Sequence, residues 1–418
     1  MRKGETYCLI DVGSHSCKGV VLRHTNQGLE VLAKASMRMR GIEGGDVRDA
    51  TAVSEAVESL VDELERESRV RRADFIISSS HSGVKLVEHG AELTVSENEK
   101  KPVDESIVES LRATVESELS DKYRLLHFYP KRYVVDGTKF VLNPIGMTAN
   151  RIRFEVTAAV MEKDSGSVFD FLSEVLPEPL LVGHSSLLAA ECALSDVEKE
   201  TGVCLIDLGH SHTFVVIYSA SVPARLQVIP LGIRNVLRDI SIVLGTSMEE
   251  AERLLRSEGS AVYGEAAYAQ QTIEYRGLDG RTLKVTTKEE LARIIHARLR
   301  EILMKARRTI REFTLQNPSS TIGRLPGGVV FVGGGAKIPR LIDLALDVFE
   351  GPARVGTFNV PNLPILNDED VVEDPALCGL LGGMTQLLRQ TQSVVAAKAP
   401  SSKQGFFKKL VEMFKSLW

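Results

Sequence analysis

The chain of 418 residues is too long for one compact core, so two to four domains or subdomains are expected. With 43% hydrophobic and 26% charged residues and a mean hydropathy of −0.02, it reads as soluble and globular; a net charge of −5 leaves no basic excess to advertise nucleic acid as a main partner. The five cysteines (Cys8, Cys17, Cys192, Cys204, Cys378) are odd in number and never spaced as CxxC, which argues against a disulfide framework or zinc site and for a reducing cytoplasm. No apolar h-region precedes Asp11 and no apolar run approaches about 18 residues, so neither a secretory signal nor a membrane span is expected.

The first element is repeated. Cys8-Leu9-Ile10-Asp11-Val12-Gly13 aligns with Cys204-Leu205-Ile206-Asp207-Leu208-Gly209, and further on Val20-Val21 falls on Val216-Ile217 in the same register. Each copy runs apolar, Asp-x-Gly, short polar, apolar, the pattern of a β-hairpin whose tip carries Asp, Gly and hydroxyl groups. Ordinary turns use Asp and Gly too, but two copies in one register predict paired hairpins facing a cleft. Gly13, Ser14, Gly209, His210 and Ser211 then offer backbone N–H groups and side-chain donors to phosphate oxygens. Asp11 and Asp207 suit the hydrated Mg²⁺ ion, which takes only one or two protein carboxylates. Lys18, on the returning strand, reaches toward a phosphate, although its position suits a solvated lysine equally well.

Between Phe75-Ile-Ile-Ser and Phe154-Glu-Val lies a small α+β insert, with a helix expected over Asp104 to Leu119 and strands around Arg132 to Val135 and Lys139 to Leu142. A helical hairpin-like region follows from Thr246 to Arg311. Its last helix, from Lys288, is dense in cations, Arg298 and Arg300 among them, and reads either as a solvated face or as a surface for an acidic partner. Gly327-Gly328-Val-Val-Phe-Val-Gly333-Gly334-Gly335-Ala-Lys337-Ile-Pro339 reads as a buried strand, a glycine turn and a helix opened by Pro339. The bare backbone of such a turn gives a flat ligand such as adenosine room to lie against it.

From Thr391 the pattern dissolves into TQSVVAAKAPSSKQ, a linker by composition. The last fourteen residues carry four aromatics, including the single tryptophan. Phe406, Phe407, Leu410, Val411, Phe414, Leu417 and Trp418 form one helical stripe, opposite Lys408, Lys409 and Lys415. A core helix or a helix that fills a partner's groove shows the same stripe, but the linker before it and the lysines favour an anionic bilayer surface, which at about 21 Å the helix is too short to cross.

Asp-x-Gly hairpin, second Asp-x-Gly hairpin, then strand–GGG–helix resembles the phosphate 1, phosphate 2 and adenosine elements of the actin/Hsp70/sugar-kinase ATPases. The segment from Ala251 resembles that superfamily's adenine-bearing helix, its glutamate matching at Glu252; the lysine many members carry three residues later is Leu255 here. IDVGSHSCKGVVL, RGIEGGDVRD, KRYVVDG, IPLGIRNVLRDIS, EYRGLDGRT, IIHARLRE and GGVVFVGGGAKIPRL are similar to segments of the FtsA family of bacterial cell-division proteins.

The resemblance implies an α/β, actin-like fold of two RNase-H-like domains around a nucleotide cleft, with an FtsA-type insert and a C-terminal amphipathic helix. It places subdomain 1A at 1–82, 163–199 and 368–390, 1C at 83–162, 2A at 200–245 and 322–367, and 2B at 246–321. A flexible linker at 391–404 and a membrane-targeting helix at 405–418 complete the expected organisation. ATP and Mg²⁺ are the implied cofactors. The implied partners are the FtsZ tail on 2B (with Arg298 and Arg300 as contacts), other copies of the chain in a filament, other division proteins through 1C, and an anionic membrane at the division site. Where phosphate 2 is often DxGGGT, this chain has Asp207-Leu-Gly-His210-Ser-His212-Thr213, and Phe214 stands where many relatives place a carboxylate. Nucleotide binding with slow or no hydrolysis is therefore expected, with His210 or His212 as a general base the less favoured reading. A PilM-like pilus adaptor and a sugar-kinase-type phosphotransferase are the alternatives on the same core.

Overall fold

The computed structural model describes residues 5–163, 166–317 and 325–398. The repeated sequence gives a repeated sheet. In the first lobe the strands run in the order Leu181–His184, Asp74–Ser79, Thr6–Val12, Ser16–His24, Leu29–Arg38; in the second the order is Val222–Ile229, Thr213–Ser219, Val203–Leu208, Val329–Val332, Ala353–Val355. Each sheet is an antiparallel three-strand meander joined through its first strand to two parallel strands. The central strands are continuous apolar runs because both faces are covered: Leu9, Ile10, Leu205 and Ile206 are all fully buried. On the first sheet, Gly19 admits Leu60 and Leu64 of the helix Ala50–Ser68, while on the opposite face Ile76 meets Gly383 of the helix Cys378–Lys398.

That C-terminal helix runs alongside the helix Ser185–Ala193, and glycines set their separation. A Cβ at Gly379 would lie 3.0 Å from Ser185 Cβ, and one at Gly382 would lie 1.8 Å from the Leu188 carbonyl oxygen. Behind the cleft, the buried Glu191 holds Lys199 at 3.0 Å and Arg389 at 3.1 Å. All three stand on the helices Ser185–Ala193, Asp196–Thr201 and Cys378–Lys398 of the first lobe, so the buried carboxylate ties these helices together without adding much stability.

The insert is a separate layer with its own core. Its four strands are ordered Lys139–Val141, Arg124–Val135, Arg151–Met161, Lys85–Thr94. The helix Glu105–Lys122, capped by Asp104, buries Leu111, Val115 and Leu119 against them.

The structure differs from the sequence reading at four places. The backbone is helical through Lys398, so the linker expected from 391 does not begin there: Val, Ala and Gln sustain a helix already packed on the core, and no proline intervenes before Pro400. Gly327 and Gly328 form a turn before the strand, which starts at Val329. Pro339 precedes rather than opens its helix, which runs Leu341–Phe349 behind a left-handed Arg340. The region after Thr246 is not purely helical: a ribbon, Thr272–Arg276 paired with Leu283–Thr287, separates the helix Met248–Glu258 from the long helix Lys288–Gln316. The expected membrane residues Phe406, Phe407, Leu410, Val411, Phe414, Leu417 and Trp418 lie outside the described residues.

Candidate nucleotide cleft between the lobes

The two hairpins end in the same turn. Gly13 N–H donates to the Ser16 carbonyl and Gly209 N–H to the His212 carbonyl, both at 3.1 Å. Register places Asp11 opposite Lys18 and, at the equivalent step, Asp207 opposite Phe214. The repeat thus carries a carboxylate in both copies but a cation in one.

Neighbouring hydroxyls hold the carboxylates. Asp11 Oδ1 accepts from Ser78 Oγ at 2.8 Å and Ser185 Oγ at 2.6 Å. Asp207 Oδ2 accepts from Ser186 Oγ at 2.7 Å. Ser185 and Ser186 are the first two residues of one helix, so a single helix start grips a carboxylate from each lobe. Burial pushes the Asp207 carboxyl up to about 6, with Asp11 adding to the rise while the Ser186 hydrogen bond and Lys18 oppose it. Lys18 Nζ stands 3.9 Å from Asp11 and donates to the Ala376 carbonyl at 3.1 Å. Sequence reasoning missed Ser78, Ser185 and Ser186. Serine beginning a helix is so common that the pair carried no distinguishing signal.

In the glycine turn, Gly333 has φ +84°, and a Cβ there would meet Asp207 Oδ1 at 2.3 Å; one at Gly335 would meet Leu208 Cγ at 2.5 Å. Around Gly334 a Cβ would find nothing within 4 Å, so this residue faces open cleft. Gly333 and Gly335 are therefore required by packing, and Gly334 by nothing within the protein. Lys337 is tied to Asp374 at 2.5 Å.

Every residue nominated from sequence for nucleotide or metal lines one cleft of about 1010 Å³ between the lobes. Contacts cross its mouth. Ser14 Oγ meets Ser211 Oγ at 2.7 Å, and the rings of His15 and His210 stack at 4.3 Å. Glu252 gathers His15 at 3.0 Å, Arg38 at 2.9 Å and Arg256 at 2.6 Å. Burial works to raise the Glu252 carboxyl, but the Arg38 hydrogen bond, His15 and Arg256 together hold it below its ordinary value. Burial, reinforced by His15, pushes His210 down to about 4; burial likewise lowers His15 and His212, so all three rings are neutral near pH 7. The Thr213 hydroxyl is turned away, donating to the Leu231 carbonyl at 2.8 Å. Neither His15 nor Arg38 was found from sequence, because their partner lies in the other lobe.

Among the described residues no group of three or more His, Cys, Asp or Glu stands ready to hold a metal by itself. Two hydroxyl-anchored carboxylates lining the cleft fit an ion that keeps most of its water, and the open backbone at Gly334 fits a flat ligand. The residues present therefore suit a Mg²⁺–nucleotide.

On the long helix, the arginines expected to meet a partner are already ion-paired within the chain. Arg298 is bidentate to Asp239, at 2.7 and 3.0 Å, and also pairs with Glu301. Arg300 pairs with Asp347 at 2.6 Å, and Arg307 with Glu350 at 2.7 Å. Carboxylates outside the helix thus meet three of its arginines, and Arg298 in particular clamps the long helix to the helix Ile233–Leu244.

Comparison with known proteins places these features in a family. Residues 204–382 match the model of the cell division protein FtsA, and residues 82–160 match the SHS2 domain inserted in FtsA. The cell division protein FtsA of Bacillus subtilis (strain 168) is 28% identical over 362 residues, covering 86% of this chain and 80% of that one. FtsA of Escherichia coli (strain K12) is 24% identical over 355 residues, 83% of each chain. Among solved structures, the PilM–PilN type IV pilus biogenesis complex matches with a TM-score of 0.62 at 16% identity, covering 93% of this chain and 99% of that one. MreB5 of Spiroplasma citri bound to ADP matches with a TM-score of 0.53 at 13% identity, covering 94% and 98%. These structures share the actin-like fold. With two FtsA models spanning more than half of its length between them, and FtsA relatives aligned along most of it, the chain belongs to the FtsA family of cell-division proteins.

Proposed function

We propose that this chain binds ATP–Mg²⁺ in the cleft, assembles with copies of itself, and holds FtsZ filaments at the cytoplasmic face of the membrane at the division site. The observation that carries the nucleotide reading is the pair of identical hairpin turns, each with an anchored carboxylate, opposite a glycine turn whose middle residue touches nothing. Asp11 and Asp207 would hold the waters of Mg²⁺, and the ion would neutralise phosphate charge. Gly13, Ser14, Gly209, His210 and Ser211 would donate to phosphate oxygens, with Lys18 as a point charge beside them. Gly333, Gly334 and Gly335 would support adenosine, with Glu252 and Lys337 at its rim. Phe214 opposite Asp207 and a neutral, stacked His210 support tight holding over fast hydrolysis.

The division role follows from family membership. The pilus-adaptor alternative rests on likeness of fold alone. Support for protein partners comes from exposed apolar side chains: Phe140, Leu142 and Ile145 on the insert, and Ile242 and Val243 on the helix Ile233–Leu244. Among the described residues no helix is long and apolar enough to cross a membrane, and the amphipathic sequence 405–418 is the proposed attachment.

Thermal unfolding with and without Mg²⁺–ATP tests the cleft. Ligand at 100 times its Kd stabilises by about 2.7 kcal/mol. Gly334→Val is expected to abolish that shift while leaving the ligand-free protein as stable as before. Wild-type unfolding that ignores millimolar Mg²⁺–ATP would overturn the reading. Pelleting of FtsZ with anionic liposomes, with and without this protein, tests the tether.

A further inference from the structure

A second cavity, of about 430 Å³, opens on the first lobe away from the cleft. Its walls are Val57, Val61 and Leu64 of the helix Ala50–Ser68, with Cys8, Phe75 and Leu176 completing them. Apolar walls and this volume are what a cavity needs to take bulky apolar side chains. Three exposed carboxylates of the same helix, Glu58, Asp62 and Glu65, line it, and no described cation pairs with any of them; Arg71 and Arg72 line it too. Inside, burial and then the Glu65 carboxylate push the Cys8 thiol up to about 12, so the pocket senses the acidic side of its rim.

The position of this pocket relative to the chain's end selects its occupant. Cys8 and Phe75 are register partners, three residues back from Asp11 and Ser78, which places the pocket about 10 Å along the strands from the cleft. The C-terminal helix begins beside Ser185 at the cleft, passes Ile76 at Gly383 and continues toward the same end of the sheet. Its remaining residues, to Lys398, carry it about 22 Å further. The chain therefore leaves the first lobe at the end where the pocket opens, on the opposite face of the sheet. Residues 399–404, which span up to about 20 Å when extended, join that end to the amphipathic segment. Next come Phe406, Phe407 and Leu410 on one face, with Lys408, Lys409 and Lys415 on the other, whose long side chains can bend back toward the carboxylates of the rim.

We propose that, in the lipid-free monomer, the amphipathic segment 405–418 docks into this pocket of its own chain, so that pocket and membrane compete for one apolar face. The inference rests on reading that segment as the membrane attachment. It adds a consequence: if docking is favoured about tenfold, apparent affinity for a bilayer falls about tenfold.

Trp418 is the only tryptophan, so its fluorescence reports on this segment alone. Acrylamide quenching of the full chain across a dilution series is compared with that of a synthetic 405–418 peptide. Two variants are tested: Val61→Arg, which sets a cation in the pocket wall, and the exposed pair Glu58→Lys with Asp62→Lys, which keeps the test alive if the first fails to fold. Protection of Trp418 in the wild type at every dilution, lost in a folded variant, together with about tenfold tighter binding of that variant to phosphatidylglycerol–phosphatidylcholine vesicles, supports docking. Quenching equal to that of the free peptide overturns it. Protection that disappears on dilution assigns the pocket to a second copy and overturns it equally, and protection retained in both variants places the segment elsewhere. A variant that exposes Trp418 but never binds vesicles upholds docking and removes the membrane reading instead.

Discussion

Asp207 gives the cleft a pH signature that separates a ligand-binding carboxylate from a structural one. Burial lifts its pKa from 3.8 to about 6 in the folded chain. Between those values the native state holds a proton that the unfolded chain has released, so stability falls as pH rises through this window. The shift corresponds to about 3 kcal/mol, fully present below pH 3.8 and gone above 6. A carboxylate ionised at neutral pH is therefore a liability to the empty protein. Asp207→Asn, which still accepts from Ser186, is expected to stabilise the ligand-free chain at pH 7.5 by about 1–3 kcal/mol and to flatten its stability between pH 4 and 6. The same change should erase stabilisation by Mg²⁺–ATP, because the ion needs the charge that the fold resists. Urea denaturation of wild type and Asp207→Asn from pH 4 to 8, with and without Mg²⁺–ATP, provides the measurement. If the substitution lowers stability at pH 7.5 in the absence of ligand, or if the two pH profiles run parallel, the reasoning fails.

Gly382→Ala should cost about 1–3 kcal/mol in urea denaturation, since its Cβ would fall 1.8 Å from the Leu188 carbonyl in a helix pair with no slack. Arg298→Ala and Asp239→Ala should show a coupling of about 1 kcal/mol in a double-mutant cycle of stability, while Arg298→Ala leaves affinity for an FtsZ tail peptide unchanged. Removal of 405–418 should abolish pelleting with anionic liposomes. Pelleting of the intact chain should rise steeply with protein concentration and follow self-assembly, as a single short helix binds weakly and an array gains about 10²–10⁴ in avidity.

The sequence made the duplicated architecture legible because Asp-x-Gly and its flanking apolar runs recur in register, and hairpin topology follows from local pattern. It made the cleft legible to the extent that glycine and aspartate mark backbone turns. It could not disclose which groups hold those carboxylates, since Ser185 is 174 residues from Asp11 and only the packed sheet brings them together. The basic helix shows the same limit from the other side. Its arginines were plain to see, but Asp239, Asp347 and Glu350 lie on other elements, so the pairing of Arg298, Arg300 and Arg307 was not. At 391–398, small residues suggested a linker where an already nucleated helix needed only the absence of glycine and proline to continue.

The adjacent serines at 185 and 186 have a mechanical consequence. A cleft between two lobes opens by rotation, and points near the axis move least. Because one helix start grips Asp11 of the first lobe and Asp207 of the second, the spacing of the two carboxylates is gauged by neighbouring residues of a single rigid rod. Rotation of the lobes about this rod would leave the spacing of the two carboxylates nearly unchanged and break the contact between His15 and Glu252 at the far end. A ligand held beside the two carboxylates would then sense lobe angle through whatever part of it reaches the rim, so its length, rather than its charge, would be the quantity converted into shape.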